Sequence, residues 1–138
     1  MEGVFVDVHG PGAALIVYEG GAPRGLDARA EAAAALDILR PLGVRAVYLK
    51  PFAKDRSKMG GELPGIVTDP TPAAGEPLPE SILITEHGWK LEVRLYDGLS
   101  TGLFLDQREN RAWVSRWAAE RVKVTGVGGL PRVLNTFA

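Results

Sequence analysis

At 138 residues, 46% hydrophobic and 24% charged, the chain suits one compact domain, or one small domain with a piece of another, and holds enough apolar surface to offset the entropy of ordering. Sixteen basic and seventeen acidic side chains leave a formal charge of -1, which argues against an autonomous, strongly basic nucleic-acid binder. The absence of cysteine excludes disulfides, thiolate zinc sites and cysteine nucleophiles within these residues.

No apolar run approaches the ~20 residues that span a bilayer. Glu2 and Asp7 do not suit a basic-then-apolar leader, so a soluble, cytoplasmic protein is expected. Val4, Phe5, Val6 and Val8, then Ala14 to Tyr18, are two β-prone runs. Between them His9-Gly10-Pro11-Gly12 favours a reversal, which predicts a hairpin. Asp27 is placed to cap a helix running to Arg40, with Ala28, Ala32, Ala35, Leu36 and Leu39 along one face and Pro41 and Gly43 ending it.

Val44 to Lys50 reads as a third strand. From Pro51 to Pro79 six prolines and several glycines predict a long irregular connection. Ile82 to Ile84 and Leu91 to Leu95 then predict two strands turning at His87-Gly88, the second in strict apolar and polar alternation. A short strand at Leu103 to Leu105 precedes a second helix. Asp106 and Glu109 form its aspartate-type capping box, and Trp113, Val114, Trp117 and Ala118 form an apolar stripe expected in the core. After Gly126 to Pro131 the β-prone run Arg132 to Ala138 ends the chain. An apolar strand with nothing after it to cover its faces is expected to be the start of a truncated domain, or a strand that pairs with a second copy in a homodimer.

Two groups of residues suggest chemistry. Lys50, Lys54, Arg56 and Lys58 around Phe52 put four cations and an aromatic in a loop-like stretch, suited to gripping phosphates while stacking a base. The same pattern, diluted by Asp55 and Glu62, also suits a solvated loop. His9 and His87 lie beside glycines at predicted turns without any paired ligand spacing, so they read as turn residues and no metal site is expected.

The stretch Asp97 to Arg111, D-G-L-S-T-G-L-F-L-D-Q-R-E-N-R, resembles the segment that precedes the cofactor domain in the rRNA methyltransferase family of the RlmI type. The ending V-L-N-T-F-A is similar to the first half of that family's S-adenosylmethionine motif. G-V-F-V-D-V-H-G followed by A-A-L-I-V-Y resembles the strand pair opening its middle domain.

The resemblance implies an α+β fold: a small mixed sheet with one packed helix, of strand-strand-helix-strand-strand type, over residues 1–97. Residues 98–138 would then supply a linker, a second helix and the first strand of a truncated Rossmann-like domain. It further implies that Ser100, Thr101, Gln107, Arg108, Arg111 and Asn135 belong to an S-adenosylmethionine pocket, with Arg108 or Arg111 pairing the cofactor's carboxylate. Lys50, Phe52, Lys54, Arg56 and Lys58 would meet RNA, with no membrane partner. The competing reading of the helix start is that Asp106 caps, Glu109 completes the box and the arginines are solvated.

Overall fold

The computed structural model describes residues 2–18, 20–52, 70–96 and 101–125, which fall into two compact units, Met1–Leu103 and Phe104–Ala138. In the first unit β1 (Val4–His9) and β2 (Gly12–Tyr18) pair antiparallel from Val4 against Val17 to His9 against Gly12. The reversal is shorter than expected: Gly10, at φ 55°, and Pro11 suffice, because a positive φ at the first turn position matches the twist of the flanking strands. His9 is therefore the last ladder residue of β1 and not a turn residue.

α1 (Ala28–Leu39) begins where Asp27, in an extended conformation, accepts the amides of Arg29 and Ala30 at 3.0 and 3.1 Å. Its buried positions are Ala32 and Leu36, one turn apart. A single 3-10 turn, Arg40–Leu42, carries Pro41 and closes on Gly43 at φ 89°, where a side chain would strain the backbone.

The chain returns as β3 (Ala46–Phe52), parallel to β2 from Gly12 against Ala46 to Tyr18 against Phe52. The strand thus runs two residues beyond the expected end at Lys50. A two-residue strand, β4 (Ala74–Gly75), interrupts the irregular connection anticipated from its prolines. The Ala73 amide reaches the Val47 carbonyl at 2.8 Å and the Glu76 amide that of Arg45 at 3.1 Å. Only glycine fits position 75: φ is 93° and a Cβ would lie 2.0 Å from the Arg45 carbonyl oxygen.

The resulting sheet is mixed, in the order β1-β2-β3-β4. β5 (Ile82–Glu86) and β6 (Trp89–Val93) form a separate antiparallel pair, turned by His87 at φ 49° and Gly88 at φ 85°. Two positive φ values in a two-residue loop are the geometry that suits a tight hairpin. The fold is α+β with one helix packed on the sheet, as anticipated.

Because strand side chains alternate between faces, the sheet carries two cores. Ala13, Leu15 and Val47 pack with Ala32, Leu36 and Val44 on the α1 side. On the other side Ala46 and Tyr48 pack with Leu78, Ile82, Val93 and Leu95. Gly12 makes room there, since a Cβ on it would lie 2.2 Å from Leu95 and 2.8 Å from Leu78.

The expected strand at Leu103 to Leu105 is absent, and in the second unit Leu105–Gln107 form a 3-10 turn that leads into α2 (Arg108–Thr125). Asp106 lies inside that turn, and its carboxylate accepts Gln107 Nε2 at 3.1 Å, so it does not start the helix as the capping-box pattern suggested. Ala112 is buried, but Trp113 and Trp117 are 59% and 37% exposed, which corrects their assignment to the core. Periodicity identifies an apolar stripe but not what covers it. Residues 126–138, with the expected closing strand and its dimer role, lie outside the described residues, as do 53–69 and 97–100. No helix among the described residues is long and apolar enough to cross a membrane.

Candidate functional site

The residues expected to bind a cofactor fall in both units. Thr101, in the first, is buried; its carbonyl accepts the Arg94 amide at 3.1 Å and its hydroxyl donates to the Leu103 carbonyl at 3.2 Å.

In the second unit Gln107, Arg108 and Asn110 are exposed around the start of α2. Asn110 donates to Gln107 at 2.8 Å and Gln107 to Asp106, a relay that sets the direction of both amides. Arg111 Nη1 donates to the Phe104 carbonyl at 2.9 Å, a bond that spans the 3-10 turn and orients the guanidinium. The 3-10 turn and the first turn of α2 therefore gather two cations and two amides, a donor set that suits a carboxylate. Ser100 and Asn135 lie outside the described residues.

Of the residues expected to meet RNA, Lys50 lies in the third strand as anticipated, and Phe52, expected in the loop-like stretch, extends that strand. Lys50 is only 5% exposed. Lys54, Arg56 and Lys58 are outside the described residues. Phe52 is joined by two aromatics that the sequence reading passed over: the rings of Tyr18 and Phe52 are 4.9 Å apart, and those of Phe5 and Tyr18 are 5.5 Å apart and nearly perpendicular. The period of two in V-F-V-D-V-H held the signal, since it sets Phe5, Asp7 and His9 on one face and the valines on the other.

His9 is fully buried with neither ring nitrogen hydrogen-bonded. Burial pushes its pKa below the ordinary 6.5, and the nearby Asp7 carboxylate opposes part of that shift. His87 sits in the β5-β6 turn. Among the described residues no group of three or more His, Cys, Asp or Glu could hold a metal ion.

No protein-family model matches the chain. Ribosomal RNA large subunit methyltransferase I of Klebsiella pneumoniae strain 342 is 37% identical over 93 residues, 67% of this chain and 20% of that protein. Its counterpart from Shigella boydii serotype 4 is 36% identical over 111 residues, covering 80% of this chain and 24% of the relative. Among solved structures, a SAM-dependent methyltransferase of Streptococcus mutans superposes with a TM-score of 0.57 at 28% identity, over 81% of this chain and 25% of that one. A methyltransferase complexed with SAH matches with a TM-score of 0.55, also at 28% identity, over 79% and 24% of the two chains. The chain thus spans about a fifth to a quarter of the proteins it resembles.

Proposed function

From the premise that this chain is homologous to ribosomal RNA large subunit methyltransferase I over most of its length, we propose that it is part of an S-adenosylmethionine-dependent methyltransferase acting on RNA. The observation that carries this reading is the identity of 36% over 111 residues to relatives of that name. In it, the first unit is the middle domain that positions RNA, through Phe52 on β3 together with Lys54, Arg56 and Lys58, while the buried Lys50 supports the strand. The second begins the cofactor domain.

S-adenosylmethionine, when bound, supplies an electrophilic methyl group on a sulfonium. The chain's own part is to hold the amino-acid end of that molecule. Arg108 offers a charge-assisted donor to its carboxylate, Arg111 is oriented by the Phe104 carbonyl, and Gln107 is aligned by Asn110. Ser100, Thr101 and Asn135 complete the set. Where the target is carbon 5 of cytosine, a cysteine first adds to the ring to make that carbon nucleophilic. These 138 residues hold no cysteine, so we assign them positioning and cofactor contacts and no nucleophile, and expect them to transfer no methyl group alone.

Calorimetry with S-adenosylmethionine and transfer of a radioactive methyl group to ribosomal RNA test this directly. The 138-residue chain should show no turnover and weak binding; a low-micromolar dissociation constant would contradict the assignment. In a protein of the relatives' full length, Arg108→Ala with Arg111→Ala should weaken cofactor binding at least about tenfold. Unchanged affinity removes both arginines from the pocket.

A further inference from the structure

We infer that Phe5, Tyr18 and Phe52 form a platform on which unpaired RNA bases stack. The inference rests on the reading of RNA as the substrate and adds to it two residues and a binding mode. The three rings come from adjacent strands, on the sheet face opposite α1. The register puts Phe5, Ile16 and Lys50 in one row across β1, β2 and β3, and Tyr18 and Phe52 in the next. At the other end of this face Ala46 and Tyr48 lie under Leu78, Ile82, Val93 and Leu95. Toward the Tyr18 end Phe5 and Tyr18 are 55% and 38% exposed and Phe52 is half-buried.

Contiguous aromatics of which two stand partly in solvent are costly to leave in water and mark an interaction surface. Their arrangement suits flat ligands. The rings meet edge-on or tilted, at 79° and 40°, so each is braced by its neighbour without being covered by it. The edge beside Tyr18 is also preformed: its carbonyl accepts the amides of Gly21 and Ala22, both at 3.1 Å, and its amide donates to the Gly3 carbonyl at 2.9 Å.

Gly3, at φ 71°, approaches Gly21 so closely that a Cβ would lie 2.1 Å from the Gly21 carbonyl carbon. The loop following β2 is thereby held against the start of β1. Aromatic sheet faces bind single strands because every base offers a π face, whatever the sequence.

Fluorescence anisotropy with a short labelled oligouridylate, and with its abasic counterpart of equal length and charge, tests the platform. The 138-residue chain should bind the base-bearing strand more tightly. Phe5→Leu with Tyr18→Leu and Phe52→Leu, which keeps the apolar volume but removes the π faces, should weaken that binding about tenfold or more and leave abasic binding unchanged. Should the triple variant unfold by circular dichroism, the exposed Phe5→Leu alone and photocrosslinking with 5-iodouridine decide, the crosslink being expected on Phe5, Tyr18 or Phe52. Equal affinity for the two strands, or crosslinks only elsewhere, overturns the platform and leaves the RNA reading standing. Failure to bind either strand, with no crosslink to Phe5, Tyr18 or Phe52, likewise overturns the platform, and methyl transfer to RNA by a protein of the relatives' full length decides the RNA reading separately. Self-association that Phe5→Leu abolishes, with no RNA bound, assigns the rings to a dimer instead.

Discussion

Tyr48 illustrates how one polar atom shapes the core of the first unit. Its ring is 2% exposed between Ala46 and the hairpin side chains, while its hydroxyl accepts the Leu78 amide at 2.9 Å and reaches the Pro70 carbonyl at 3.5 Å. Tyr48→Phe preserves the ring and strands the Leu78 amide, a loss of about 1–3 kcal/mol for a buried donor. Urea unfolding should register that loss as a lower midpoint with an unchanged slope; an unchanged midpoint would mean the amide finds another acceptor. Lys50 and His9 make the complementary point. His9, expected in a turn, is a buried residue of β1 because that strand extends further than its β-prone run suggests, and Lys50, expected at the end of the third strand, is in β3 but buried there.

Among the elements, α1 follows most directly from local rules. The Asp27 carboxylate satisfies two of the amides that a helix start leaves unpaired, and Asp27→Ala should destabilise the fold by about 1 kcal/mol, whereas Asp27→Ser should recover most of it. Thermal melts followed by circular dichroism would show this order, and equal melting temperatures for all three proteins would show that the cap is dispensable. α2 departs from its pattern in an instructive way. The capping-box pattern places the helix start at Asp106, but the chain uses Asp106 to accept from Gln107 within a 3-10 turn and starts α2 at Arg108. The aromatic stripe at Trp113 and Trp117 lies in solvent, with Arg121 placed over the Trp117 ring at 5.4 Å, a cation-π contact between residues one turn apart.

For the molecule as a whole, His9 couples stability to pH. Its pKa is lowered in the folded state, so the unfolded chain takes up a proton first as pH falls through the ordinary value of 6.5. The contribution of neutral His9 is full above that value, declines as pH drops toward the folded pKa and is flat below it. Denaturation midpoints measured from about pH 7 to about pH 5 should therefore fall more steeply for the parent chain than for His9→Phe; parallel curves would show that His9 titrates alike in both states. The sequence alone determined what depends on near neighbours: the capped helix, the two hairpins at glycine-containing turns, the alternation of β6, the mixed α+β class and the likeness to rRNA methyltransferases. Backbone sterics and capping bonds act over a few residues, so a local string of amino acids carries them. Tertiary structure decided what depends on distant partners: the cover of Leu78 and Leu95 over Gly12, the pairing of Gly75 with Ala46, the burial of His9 and Lys50, and the meeting of Phe5, Tyr18 and Phe52 across three strands. Each is settled by which remote segments compete for the same sheet face, and no window along the chain contains that information.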